Sequence, residues 1–523
     1  MSGKIGDSVV FRMQRWILLS SQDRAWQAAF VAVVLASAFF FWQSRIGFDM
    51  SDEGFLWYGT ERVLNGEVPL RDFFSYDPGR YYWSSLFLWL FQDHGIVALR
   101  AASSLIQATG LFLGLRALQG ALQKNEFGFV VVAALTILVW MFPRHKYFDI
   151  TAALSLIAVL TWLCDGPTLR RYFFAGVVVG VAAIFGRNHG VYGAAGSLFV
   201  LCYLRLSNTG PAFFRSGFAL AGGVLLGYAP LLLFVLMDQG FAHAMWQSVL
   251  FQFGAHISTL PVPVPWPWRV SFGKHTIFGL AYLAVFLWGA VGMIAMVWCH
   301  FRNVRIPALI VSCAALALPY AHALSLRADT AHLAQAIYPA LLALICWISL
   351  QSQMIKWSLM SVLCVSSVVI MLHEQPGWAC RPNKNCPQVQ VGSDQLSLEP
   401  RVARDFTFLQ GLINQYAPAP QTFLALPSWS GLYAATNRKA PMWDTFALQA
   451  RDDIFQRHEI ERIIRADPKF AVIWDAALDG DDSLRYSNTH RVMADYIRKN
   501  FVRIPSSPPN PDFQIYLAPS VRK

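Results

Sequence analysis

Residues 24–54 read RAWQAAFVAVVLASAFFFWQSRIGFDMSDEG: an apolar run ends abruptly in three carboxylates, Asp49, Asp52 and Glu53. At about 1.5 Å per residue, the 24–43 segment is long enough to cross the hydrocarbon core of a bilayer as a helix. Apolar runs of similar character recur downstream. They fall at 96–118, 127–143, 150–164, 172–186, 190–206, 217–237, 276–299, 306–324, 333–350 and 355–372, and each reads as a further span. A weakly apolar, aromatic segment at 81–92 reads as interfacial or as one more short span. The expected fold class is a polytopic α-helical membrane protein of about 11–13 transmembrane helices with a small C-terminal α/β domain.

Composition agrees. The chain has 523 residues, 55% hydrophobic and 14% charged, with a mean hydropathy of +0.40, whereas soluble domains carry about 25% charged residues. The net charge of +11 comes from Lys and Arg scattered at span ends. That placement suits headgroup anchoring and anionic lipid contact rather than nucleic acid.

Residues 1–23 are polar and mildly basic (Lys4, Arg12, Arg15), with no cleavage site behind the apolar run; they read as a cytoplasmic lead-in. Residues 24–372 form the transmembrane module, with an acidic first extracytoplasmic loop at 44–95 and a second long loop at 238–275. Residues 373–523 have ordinary charge density and read as a soluble extracytoplasmic α/β domain. Helical periodicity marks 401–416 and 451–465, and strand patterns mark 422–426, 470–474 and 513–517. Six cysteines lie in apolar runs as packing residues, whereas Cys380 and Cys386 sit in a polar stretch suited to a short-loop disulfide outside the cytoplasm.

Bases collect on both sides of the membrane, so the positive-inside bias is weak. Those on the translocated side, Arg62, Arg71, Arg80, Arg144, Lys146, Arg187 and Arg327 among them, call for an anionic substrate there. A bacterial inner (plasma) membrane protein with its site on the extracytoplasmic face accounts for this.

Four segments carry the candidate chemistry. In the first loop, Asp52 suits the N-cap of a following interfacial helix with an apolar face of Phe55, Leu56, Tyr58 and Val63. It equally suits a general base held at the membrane surface. Further on, Asn65-Gly66-Glu67-Val68-Pro69 and Tyr76-Asp77-Pro78-Gly79-Arg80 lead into Tyr81-Tyr82-Trp83. This order resembles the first extracytoplasmic loop of the GT-C glycosyltransferases, in the branch of the protein O-mannosyltransferases and lipid A aminoarabinose transferases.

The resemblance implies Asp52 as catalytic carboxylate, with Glu53 or Asp49 able to share the role. The aminoarabinose branch has Lys-Pro-Pro where this chain has Tyr76-Asp77-Pro78, so its phosphate-contacting lysine is missing and Arg80 or Arg71 is left as substitute. Asp149, in Pro143-Arg144-His145-Lys146-Tyr147-Phe148-Asp149, matches the family's second acidic position. An acid beside a span is a functional suspect by default. Arg144, His145 and Lys146 read as headgroup anchors or as phosphate contacts.

Phe185-Gly186-Arg187-Asn188-His189-Gly190 matches the family's cation before glycine, which makes Arg187 the first choice for the lipid phosphate, with His189 beside it. Arg327, Asp329 and His332, at a span end, suggest a donor-site contact or a plain surface ion pair.

The implied reaction moves a sugar, with inversion, from a polyprenyl-phosphate-linked donor to an acceptor hydroxyl on a glycan, lipid or protein. Clustered carboxylates, Asp49 included, suit a divalent cation (Mg or Mn) through hard oxygen ligands, and family members differ in needing one. No phosphate-cradling Gly-rich loop, zinc-protease motif or dinucleotide fingerprint occurs. The competing readings are a ligase or polymerase of lipid-linked glycans, a transporter or flippase for a lipid-linked sugar, and a non-catalytic assembly subunit.

Overall fold

A computed structural model describes residues 3–122, 126–254, 262–271, 273–381, 384–504, 508 and 510–522. Helix α1 (Gly3–Gln43) carries its apolar stretch over Gln22–Gln43 and runs without a break through the expected lead-in. The first loop folds into α2 (Asp52–Leu64) and α3 (Gly79–Phe91). The membrane module continues with α4 (Ile96–Ala121), α5 (Phe127–Val139), α6 (Tyr147–Asp165), α7 (Leu169–Phe185), α8 (Arg187–Leu206), α9 (Phe213–Met237) and α10 (Gln239–Gly254). It ends with α11 (Lys274–Phe301), α12 (Ala308–Leu326), α13 (Thr330–Ala336), α14 (Tyr338–Ser349) and α15 (Gln353–Met371).

All the expected spans fall on helices, but among the described residues only seven are long and apolar enough to cross a membrane, or eight if the α13–α14 pair, bent by 55°, counts as one. The expected count was too high for a physical reason. Helix α5 has 13 residues and α7 has 17, shorter than the ~20 that a full crossing needs. Helix α8 opens on Arg187-Asn188-His189, which the site below uses. The 81–92 segment is α3, whose Leu86, Trp89, Leu90 and Phe91 lie exposed on one flank, as an interfacial helix requires.

Helix α6 is the buried centre, packed against α4, α7 and α12. Small residues let its neighbours approach. A Cβ at Gly110 of α4 would lie 2.4 Å from Thr151 Oγ of α6, and one at Gly176 of α7 would lie 2.1 Å from the Leu220 carbonyl of α9. Backbone contacts this close are how helices gain packing energy in lipid, where apolar surface alone gives none.

After a single turn, α16 (Pro376–Ala379), and the Cys380–Cys386 disulfide, the hairpin β1 (Gln388–Val391)–β2 (Asp394–Ser397) bridges back to Ile46. The C-terminal domain then runs through α17 (Pro400–Tyr416), β3 (Leu424–Leu426), α18 (Ser430–Ala435), α19 (Asp453–Ala466) and β4 (Phe470–Trp474). It closes with α20 (Tyr486–Thr489), α21 (Arg491–Asn500), β5 (Val502–Arg503) and β6 (Phe513–Leu517). The sheet order is β3-β4-β6-β5, with β3 parallel to β4 and the other pairs antiparallel.

This domain decides the environment of α2. A Cβ at Gly54 would lie 2.5 Å from Gly431 of α18, the Gly431 N–H donates to the Met50 carbonyl at 2.9 Å, and the Ala440 N–H donates to Tyr58 Oη at 3.1 Å. Helix α2 is therefore buried from Glu53 to Arg62. It is not the one-sided interfacial helix that its sequence suggested, because the C-terminal domain covers its outer face.

Candidate active site

The three first-loop acids have three different fates. Glu53 is buried, and its two oxygens accept from Arg100 Nε at 2.8 Å and Arg100 Nη2 at 2.7 Å, with Arg144 Nε 3.3 Å from Oε1. Arg100 also donates to the Ser44 and Gly47 carbonyls, and Arg144 to those of Gln43 and Ile46. Burial by itself would raise the Glu53 carboxyl, yet Arg100 and then Arg144 bring it down to about 2. Glu53 thus knots the end of α1 to α4 and to the 144–146 turn, with both oxygens spoken for.

Asp49 takes the capping role expected of Asp52. Its Oδ1 accepts from the N–H groups of Ser51 (2.9 Å) and Asp52 (3.2 Å), the pattern of an Asx turn opening α2. It reaches solvent at the rim of the recess, but burial among the surrounding protein, followed by the neighbouring Asp52 charge, pushes its carboxyl up to about 7.

Asp52 is left free to act. Its side chain is 40% exposed, and its nearest polar partners are long: Tyr76 Oη at 3.4 Å and His145 Nε2 at 3.8 Å. The chain supplies it with no strong ion pair.

Tyr76 links Asp52 to the cations. Lys146 Nζ lies 4.2 Å from the centre of its ring, and the Arg80 guanidinium lies 4.8 Å from it. Among the described residues, Lys146 has no carboxylate at ion-pair distance. Arg80, buried to 3%, is neutralised by Asp149 through contacts of 3.2 and 3.3 Å and donates to the Phe185 carbonyl at 2.7 Å. Asp149 also faces His189 Nε2 at 3.1 Å, and His189 Nδ1 faces Tyr320 Oη at 2.9 Å. The network is satisfied with Nε2–H donating to Asp149 and Nδ1 accepting from the tyrosine.

The other expected cations are engaged. Arg187 Nε lies 2.6 Å from Asp77 Oδ1, and its Nη2 donates to Ser248 Oγ at 3.1 Å. Arg327 grips Asp479 of the C-terminal domain at 2.8 and 3.1 Å and pairs with Asp329, whose carboxylate also meets His332 Nδ1 at 2.7 Å and caps α13. Asp329 lies within electrostatic range of Lys146, so this cluster borders the first. The structure thus brings Asp52, Lys146, Arg80, Asp149 and His189 together, keeps Glu53 behind them as a brace, and sets Arg187 and the Arg327 cluster at the edges.

Sequence reading missed Tyr76, Arg100, Asp77 and Tyr320. Arg100 carried a signal, being a cation inside an otherwise apolar run. Tyr320 carried none, because a tyrosine in a span reads as packing.

Beneath Arg80 a largely apolar cleft of about 690 Å³ runs between α4, α6 and α7, lined by Trp83, Ile106, Phe112, Phe148, Val178 and Phe185. Asp49 and Asp52 stand side by side, but Glu53 is held by arginines. Among the described residues no group of three or more His, Cys, Asp and Glu side chains is gathered to hold a metal ion.

No family model matches the chain, and no curated protein matches it. Among solved structures it is similar to ArnT from Cupriavidus metallidurans bound to undecaprenyl phosphate, at 14% identity and a TM-score of 0.46, over 96% of this chain and 97% of that one. It is also similar to the Archaeoglobus fulgidus oligosaccharyltransferase tethered with an acceptor peptide, at 12% identity and a TM-score of 0.44, over 93% of this chain and 73% of that one. At these identities and scores the likeness assigns no chemistry.

Proposed function

We propose that this polytopic membrane protein is a glycosyltransferase that moves a sugar from a polyprenyl-phosphate donor to an acceptor hydroxyl on the extracytoplasmic side, with inversion. One observation carries the reading. Of the acids gathered here, Glu53 and Asp149 are buried and neutralised by arginines, whereas Asp52 is half-exposed, without a close ion pair, and beside the unpaired ammonium of Lys146.

In this mechanism Asp52 accepts the proton of the acceptor hydroxyl as its oxygen forms a bond to the anomeric carbon. The bond from that carbon to the phosphate oxygen breaks, and the phosphate leaves with the electron pair. Lys146 neutralises the growing charge in a recess poor in water. Asp149 is a positioning residue: it holds Arg80 against Tyr76, and Tyr76 in turn steadies Asp52. The cleft under Arg80 suits an isoprenoid tail, which gains by leaving water and asks for no polar partner. Arg187 and Arg327 reach the phosphate only by releasing Asp77 and Asp479, so they follow Lys146 as phosphate contacts. The Cys380–Cys386 disulfide suits an oxidising compartment for the C-terminal domain.

The test compares the wild type with Asp52→Asn in membranes lacking the endogenous protein, following loss of polyprenyl-phosphate-sugar and gain of glycosylated product. Loss of a general base lowers the rate by at least about 100-fold, and a thermal midpoint unchanged by the substitution shows that folding is intact. Equal transfer by both proteins removes Asp52 from the chemistry. No consumption of lipid-linked sugar by a stable wild type sinks the glycosyltransferase reading.

A further inference from the structure

Behind Phe74, on the side away from Asp52, lies a second cavity of about 390 Å³ that this mechanism leaves unused. Its walls come from three distant parts of the chain: Phe74 from the first loop, Gln247, Ser248 and Phe251 from α10, and Trp443 and Phe455 from the C-terminal domain. The Arg451 guanidinium fixes the rings. It lies 3.6 Å from the centre of Phe251, 4.5 Å from Phe455 and 5.3 Å from Phe74, and it is bonded to Asp444 at 3.0 and 2.8 Å.

The polar groups at the cavity are few and available. Gln247 is exposed and makes no hydrogen bond among the described residues, and Ser248 Oγ accepts from Arg187 at 3.1 Å. Aromatic walls combined with an amide and a hydroxyl match a ligand that has an apolar C–H face and a rim of hydroxyls. A hydrocarbon chain would strip water from Gln247 and Ser248 without replacing it, and a small ion would make no use of the rings.

Position supports the match. A row of ring contacts joins the cavity to the base: Phe74 to Phe55 at 5.8 Å, Phe55 to Tyr76 at 5.1 Å, then Tyr76 Oη to Asp52. Trp443 also walls a further recess of about 670 Å³, where Thr422, Lys439, Arg462 and Arg465 offer polar contacts. The space therefore continues outward past a first sugar ring.

We infer that this cavity is the acceptor subsite and that the acceptor is a glycan, its terminal sugar stacked between Phe74 and Trp443 while the C-terminal domain reads the units behind it. The inference rests on the glycosyl-transfer reading, and its test is arranged to fail separately.

The full-length protein in membranes is given polyprenyl-phosphate-sugar and an envelope extract from cells lacking it, and the acceptor dependence of transfer is measured. Gln247→Trp fills the cavity from an exposed helix position, and Trp443→Leu removes a wall. Both raise the acceptor KM at least tenfold while leaving the donor KM within twofold; thermal midpoints confirm that the variants fold, and Gln247→Trp decides if Trp443→Leu does not. Linkage analysis of the product finds the new sugar on a sugar hydroxyl. An unchanged acceptor KM in a folded Gln247→Trp protein, or a new linkage to a Ser or Thr side chain or to a sugar-free lipid, overturns the inference while leaving glycosyl transfer standing. Absence of any donor consumption by the wild type instead overturns the reading beneath it.

Discussion

Replacing Glu53 by Gln keeps the shape of the side chain and an acceptor for the arginine N–H groups but removes the charge between Arg100 and Arg144. The structure sets the magnitude in two ways. The carboxyl is lowered from an ordinary 4.5 to about 2, which corresponds to roughly 3 kcal/mol of folding stability. Removing one partner of a buried ion pair costs about 3–5 kcal/mol, and here two buried arginines are left facing each other, with side chains 2% and 9% exposed. Because the folded carboxyl is depressed, its contribution is complete above pH 4.5 and fades as the pH falls towards 2. Glu53→Gln should therefore lower the thermal midpoint in detergent at pH 7 by on the order of 5 °C or more, and the gap to the wild type should narrow below pH 4.5. Removing Arg144 as well, in Glu53→Gln/Arg144→Gln, should restore part of the loss, since adjacent sites of this kind couple by about 0.5–3 kcal/mol. A Glu53→Gln protein as stable as the wild type at pH 7, with no recovery in the double variant, would refute the brace and return Glu53 to the list of candidate bases.

Lys146→Met should raise the donor KM on the order of tenfold or more, since a hydrogen bond to a charged group contributes about 1.5–3 kcal/mol; titrating the donor at fixed acceptor measures it, and an unchanged KM removes Lys146 from the phosphate site. Asp149→Asn strips the buried Arg80 of its counter-charge and should cost about 3–5 kcal/mol, seen as a lower thermal midpoint together with reduced transfer; a fully stable but inactive variant would instead place Asp149 in the chemistry itself. Asp49 has a raised carboxyl, so ionising it opposes folding: stability should fall as the pH rises from about 4 through about 7. Asp49→Asn should flatten that part of the pH–stability profile, gaining on the wild type at pH 8 and not at pH 5, and parallel profiles would show that the Asp49 environment has been misread.

Much of the architecture was legible in the chain because the bilayer imposes a one-dimensional rule, that a spanning helix needs an unbroken apolar run. Every expected span became a helix, and the helices at 401–416 and 451–465 and the strands at 422–426, 470–474 and 513–517 appeared within a few residues of where periodicity put them. The two-residue strand β5 and the β1–β2 hairpin were missed, since strands that short have no period to read. The span count ran high because hydropathy does not say whether a 13-residue apolar helix meets lipid or, like α5, packs inside the protein.

The candidate site divides in the same way. Local sequence determined which acids and bases stand at the membrane surface, because a charge at the end of an apolar run can lie nowhere else. Local sequence could not rank Asp49, Asp52 and Glu53, which are equivalent in composition and spacing. Their ranking depends on partners 47 and 91 residues away from Glu53, Arg100 and Arg144, and on a domain more than 370 residues downstream that buries α2. The same distance separates Arg187 from Asp77 and Arg327 from Asp479. Electrostatic neutralisation depends on separation in space, so only the folded chain decides which carboxylate is spent on holding the structure and which is left to act.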